Sequence, residues 1–161
     1  MSLAQSHPDH DQTRWFLGTA IKFLASAGDD GVCVVEHYMP YGDSPPLHLH
    51  QNEDEVFVVL RGTVRLEVGG RTQLLETGDV AIAPKGVPHS YIVESDGARV
   101  LTVTRGHEFE GMLRTLSRPA NGPGLPPQAA PSPEQLAQVA EVCRQNGIDL
   151  VGPPLASQRA V

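Results

Sequence analysis

Between Trp15 and Arg105, apolar residues come in short runs broken repeatedly by Gly, Pro, Asn and Asp. Runs of this length with turn residues between them predict short β-strands, here over residues 16–24, 32–39, 55–61, 64–68, 71–75, 80–83, 89–93 and 99–105. Ala27-Gly28-Asp29-Asp30-Gly31 is the turn between the first two. In Val64-Arg65-Leu66-Glu67-Val68, alternation sends the charged side chains to one face and the apolar ones to the other. Val56-Phe57-Val58-Val59-Leu60 is apolar on both faces, as in a strand covered on one side by the interior and on the other by a second element or subunit. Gly69-Gly70 predicts a two-residue hairpin turn, because both central positions want positive φ. Strands this short and this closely spaced predict an all-β sandwich or small barrel.

After residue 108 the period changes. Phe109, Met112, Leu113 and Leu116 fall on one side of a helix despite Gly111. Residues 118–133 hold six prolines and should run extended over the surface. Ser132, followed by Pro133 and by Gln135 three positions on, combines an N-cap, a first-turn proline and a capping box. Leu136, Val139, Ala140 and Cys143 would form the apolar stripe of that helix, which should end at Gly147. The tail, 148–155, is too apolar to hang free and is expected to dock on the β-domain or across a dimer. The chain thus divides into a mobile arm over 1–14, a β-domain over 15–108 and a helical, proline-rich extension over 109–161.

At 161 residues the chain suits one domain, which can bury about two-thirds of its unfolded surface without a disulfide. Cys33 and Cys143 have no metal-ribbon or redox spacing and are expected to be small buried hydrophobes. The formal net charge is −7, and residues 1–110 carry 16 acidic against 8 basic side chains. An acidic domain without a basic stripe is a poor partner for nucleic acid or an anionic membrane. The N-terminal stretch has no apolar signal region, and the longest apolar run, Val56 to Leu60, is far too short to span a bilayer. A cytoplasmic protein is the expectation.

The chemistry lies in two glycine-framed stretches, Gly42-x5-His48-x-His50-x4-Glu55-x6-Gly62 and Gly78-x5-Pro84-x-Gly86-x2-His89. His48 and His50, two apart on an extended chain, project from one face. Gln51-Asn52-Glu53-Asp54 supplies the reversal that brings Glu55 back at the start of a returning strand. Glu53 and Asp54 compete with Glu55 as ligands. Parity favours Glu55, which shares a face with Phe57 and Val59, and leaves the other two as turn residues facing water. Three imidazoles and one carboxylate suit a divalent transition metal with coordination positions left open. His89, Tyr91 and Val93 share a face, so Tyr91 and Val93 are expected near the metal, Tyr91 either as a core residue with a bonded hydroxyl or as a substrate contact. His37 shares the inner face of its strand with Cys33, Val35 and Met39, as a hydrogen-bonded core histidine or a pocket residue.

These paired motifs resemble those of the metal-binding cupin superfamily, with every ligand position filled. The family's second motif usually continues from the histidine through three further residues to Asn. Val93 stands there instead, which bears on the pocket and not on the ligands. The C-terminal helix followed by Ile148-x-x-Val151-Gly152-Pro153-Pro154-Leu155 is also similar to the extension of bacterial single-domain cupins of the quercetin dioxygenase type. The resemblance implies a jelly-roll barrel holding one Fe, Mn, Ni, Cu or Zn ion through His48, His50, Glu55 and His89. It implies a dioxygenase, with Glu55 as catalytic base and Phe57, Tyr91, Val93 and His37 around a small aromatic or enolisable substrate, and a homodimer. A metal-dependent isomerase or decarboxylase, or a non-catalytic binding module, is the alternative.

Overall fold

The computed structural model describes residues 12–28 and 31–157, so most of the expected N-terminal arm, and Asp29 and Asp30 of the first turn, lie outside the described residues. In chain order the elements are β1 (Arg14–Phe16), β2 (Thr19–Ala25), β3 (Val32–Met39), β4 (Pro46–His50), β5 (Glu55–Arg61), β6 (Val64–Val68), β7 (Arg71–Leu75), β8 (Val80–Ala83), β9 (His89–Val93) and β10 (Ala98–Arg105). Then follow α1 (Glu108–Leu116), β11 (Arg118–Pro119), α2 (Pro133–Gln145) and β12 (Ile148–Pro154). Two antiparallel sheets form a jelly roll, one in the order β11-β1-β2-β3-β10-β5-β8 and the other β12-β4-β9-β6-β7.

Alternation decides which side chains enter the barrel. Phe57 and Val59 from one sheet meet Val64, Leu66 and Val93 from the other in a core between the sheets. A second core joins Ile21, Phe23, Cys33 and Val35 to Phe109 and Leu113 of α1, Val142 and Cys143 of α2, and Ile148 of β12. Both cysteines are free and buried. Gly69 and Gly70 take φ of 57° and 77° between β6 and β7, as the hairpin requires. On the outer face of β5, Val56 and Val58 lie beside Ile82 and Val80 of β8, which are 57% and 56% exposed.

Several elements differ from expectation. The single strand expected over 16–24 is a hairpin, turning at Leu17 with φ of 50° and closed by the Thr19 hydroxyl donating to Phe16 O at 2.9 Å. Phe16 and Leu17 gave no polar signal for that turn. The proline segment does run over the surface, and it is tied to this hairpin. Trp15 Nε1 donates to Gly124 O and Gln128 Nε2 to Gly18 O, at 3.0 and 2.9 Å. Helix α2 has the expected capping box at Ser132 and Gln135. Its buried residues are Val142 and Cys143, whereas Leu136 and Ala140 of the expected stripe are exposed, because the N-terminal half of the helix overhangs a cavity. The apolar tail is β12, an added edge strand beside β4, with Ile148 opposite His50 and Leu150 opposite His48.

Candidate metal centre

Strand β4 carries His48 and His50 on one face, and His89 stands directly across from His48 in the pairing of β9 with β4. Glu55 enters from the other sheet at the start of β5. The four side chains converge, each offering one ligand atom within 4.8 Å of the others. His89 Nε2 is 3.0 Å and His50 Nε2 3.2 Å from the same Glu55 oxygen. His50, Glu55 and His89 are 1, 3 and 1% exposed, so the cluster sits in the protein interior.

The backbone presets the imidazoles. His48 Nδ1 lies 2.8 Å from Pro46 O and His89 Nδ1 3.0 Å from Val87 O, so each donates its Nδ1 proton to a carbonyl and turns Nε2 toward the centre. His50 has neither ring nitrogen in hydrogen-bond geometry, despite its short approach to Glu55. A fully buried imidazole without partners is costly unless something else takes the lone pair. A divalent cation among three imidazoles and a carboxylate would do so, and the donor set fits one.

The charges agree. Burial disfavours ionised Glu55, yet the close approach of the His50 and His89 imidazoles outweighs it and holds the carboxyl well below its usual pKa. Burial also disfavours charged His89, but Glu55 reverses that and raises its pKa. His48, desolvated and beside His89, is lowered to about 4.

Comparison with known proteins follows the same residues. Residues 34–104, spanning both motifs, match the model of the cupin domain. Over 121 residues the chain is 31% identical to quercetin 2,3-dioxygenase of Bacillus subtilis. This chain is a member of the cupin superfamily. The match covers 74% of this cupin and 36% of the Bacillus protein, so the chain spans about a third of that relative's length. Its fold is similar to an RmlC-like cupin of Shewanella frigidimarina (TM-score 0.56, 19% identity, covering 65% of this chain and 92% of that one). It is equally similar to a predicted oxalate decarboxylase of Thermotoga maritima (TM-score 0.56, 19% identity, 63% and 99%).

In this cupin, His48, His50 and Glu55 open onto a cavity of about 320 Å³, at the small end of the range for ligand sites. Tyr91 and His37 line it. His37 Nε2 is 2.8 Å from the Thr102 hydroxyl, and burial lowers its pKa to about 4 against the opposing charges of Glu55 and Glu36. The Tyr91 hydroxyl donates to Asp43 at 3.3 Å. Two expected pocket residues stand elsewhere. Val93 is wholly buried opposite Val64 in the core between the sheets, because parity selects a face but not a depth along the barrel. Phe57 stacks edge-on to His89 and Tyr91, at 6.1 Å from each, and borders a separate void of about 10 Å³. Asp54 faces solvent and accepts from Lys85 N, but Glu53 does not face water. It is 2% exposed and caps α1, accepting from Glu108 N and Phe109 N at 3.0 and 2.9 Å.

Sequence reasoning missed Asp43, Thr102 and the helical wall of Phe109, Met112, Leu136 and Cys143. Thr102 could have been found, since Val100, Thr102 and Thr104 alternate inward on β10. Asp43 sits inside the first motif without being one of its ligands.

Proposed function

We propose that this cupin is a metal-dependent oxidoreductase of the dioxygenase type, acting on a small, neutral aromatic or enolisable compound. The observation that carries this reading is the cavity itself. A cluster of three imidazoles and a carboxylate opens onto a mainly apolar chamber with no Lys or Arg among its described lining residues. A phosphorylated or dicarboxylate substrate would find no cationic side chain there, which counts against the isomerase and decarboxylase alternatives. The similarity to quercetin 2,3-dioxygenase supports the same choice.

His48, His50, Glu55 and His89 would hold Fe, Mn, Ni, Cu or Zn. The bound metal would supply a Lewis-acidic, and for most of these ions redox-active, position at which substrate oxygen and dioxygen meet. Glu55, ionised and buried, accepts the proton of the substrate's enol or phenol on its Oε2. Phe109 and the apolar face of α2 exclude water from the reacting oxygens. The reading includes a homodimer, with Val56, Val58, Val80 and Ile82 on the outer sheet face as the contact. Oxygen uptake with flavonols, catechols and β-diketones is the test, comparing the parent with Glu55→Gln at matched metal loading. Loss of the base should lower turnover by about 10²–10⁴-fold. Equal uptake in both would remove Glu55 from catalysis. No uptake with Fe, Mn, Ni or Cu would sink the dioxygenase reading in favour of the isomerase, decarboxylase or binding-module alternatives.

A further inference from the structure

Beyond the ligand cluster the cavity holds two polar pairs, His37 with Thr102 from β3 and β10, and Asp43 of the β3–β4 loop with Tyr91 of β9. His37 and Thr102 satisfy each other at 2.8 Å. Asp43 and Tyr91 do not match so well. Their 3.3 Å separation is long for a hydroxyl donating to a carboxylate, for which about 2.5–2.7 Å is usual. Asp43 follows the Tyr41-Gly42 turn and is anchored through its backbone, with Val93 N donating to Asp43 O and Gly42 N to Val93 O, at 3.1 and 2.9 Å. Its carboxylate can accept about four hydrogen bonds. The Tyr91 proton already points to Asp43, so the pair offers a visitor only acceptors. Burial raises the Asp43 pKa to about 6, opposed by the Tyr91 hydrogen bond, and a donor delivered by a ligand would offset that cost.

Position gives the pair its meaning. Tyr91 lies two residues beyond His89 on the same face of β9, about 7 Å along the strand. Between them a ligand would lie against Phe109, Met112 and Leu136. We propose that the Asp43 carboxylate, beside Tyr91, forms a second recognition site that reads a hydroxyl on the ligand, set apart from the oxygens that reach the metal cluster. The favoured ligand class is then an elongated, uncharged molecule with a chelating oxygen pair at one end, an apolar ring body and a separate hydroxyl donor. An anionic group in place of that hydroxyl is repelled by Asp43. This assignment deepens the proposed function and rests on its reading of the cluster as a metal site.

The test is calorimetric titration of the full-length protein loaded with Zn(II), which binds ligand without turnover. The probes are 3-hydroxyflavone and its 3,7-, 3,3′- and 3,4′-dihydroxy forms. They share the chelating oxygens and differ in the second hydroxyl. At least one dihydroxy probe should bind about tenfold or more tighter than 3-hydroxyflavone, as a hydrogen bond to a charged acceptor implies. In Asp43→Ala that preference should fall to within about twofold, with 3-hydroxyflavone affinity kept. Tyr91→Phe, which frees the carboxylate, should keep the preference, an outcome that mere support of the fold by the pair would not give. One Zn(II) per chain with no preference among probes, or a preference unchanged in Asp43→Ala, overturns the second site while leaving the metal reading standing. Failure to retain Zn(II) and to bind any probe overturns both.

Discussion

Truncating Ile148 to Ala tests whether the C-terminal strand is an integral part of the ligand-bearing sheet. Ile148 is 2% exposed, stands opposite His50 and packs into the cluster that contains Ile21, Phe23, Phe109 and Leu113. Next to it, Gln51 N donates to Gly147 O at 2.8 Å, so the start of β12 is held by backbone as well as by packing. Removing three carbons there should cost about 2–5 kcal/mol. For a domain of this size each kcal/mol moves Tm by about 2–4 °C, so a fall of roughly 4–20 °C is expected. Leu150 is the control. It is opposite His48 but 36% exposed, and Leu150→Ala should cost about 1 kcal/mol or less. Thermal unfolding of metal-free protein, followed by circular dichroism, keeps mass-action stabilisation by bound ions out of the comparison. Equally small shifts for both variants would show that β12 is a peripheral strap and that β4 does not depend on it.

Two further outcomes follow from burial. His37, with its folded pKa near 4 against 6.5 unfolded, contributes stability that is fully present above pH 6.5 and lost as pH falls toward 4, about 3 kcal/mol in all. His37→Gln should flatten that part of the stability profile of the metal-free protein, measured by urea unfolding between pH 4 and 7. An unchanged slope would mean that His37 is not buried neutral. Truncation after Arg118 removes Val142, Cys143 and Ile148 from the core, at about 1.5–3 kcal/mol for each large apolar side chain, a loss comparable to the stability of a whole domain. The shortened protein should aggregate on gel filtration, and a monodisperse, equally heat-resistant product would contradict this.

What was legible in the sequence depended on how local the signal was. The strands from Glu55 to Val93, the Gly69-Gly70 turn and the Ser132 capping box are each written in a few adjacent residues, and each forms where expected. The four clustered side chains were legible for the same reason, since parity and spacing place them on inward faces. Long-range pairings were not. Nothing near Glu53 announces that it caps a helix 55 residues on, and nothing in the tail says that Ile148 pairs with His50 rather than docking loosely. The roof of the cavity also escaped notice, because the half-exposed Leu136 matters through what it overhangs and not through its own burial.

The central claim is that His48, His50, Glu55 and His89 together hold one metal ion. Its most direct test is elemental analysis of protein purified without chelator, comparing the parent with His50→Ala and with His37→Gln as a cavity control. The account predicts close to one divalent transition metal per chain in the parent and in His37→Gln, and a near-complete loss in His50→Ala. Full metal content in His50→Ala would contradict it.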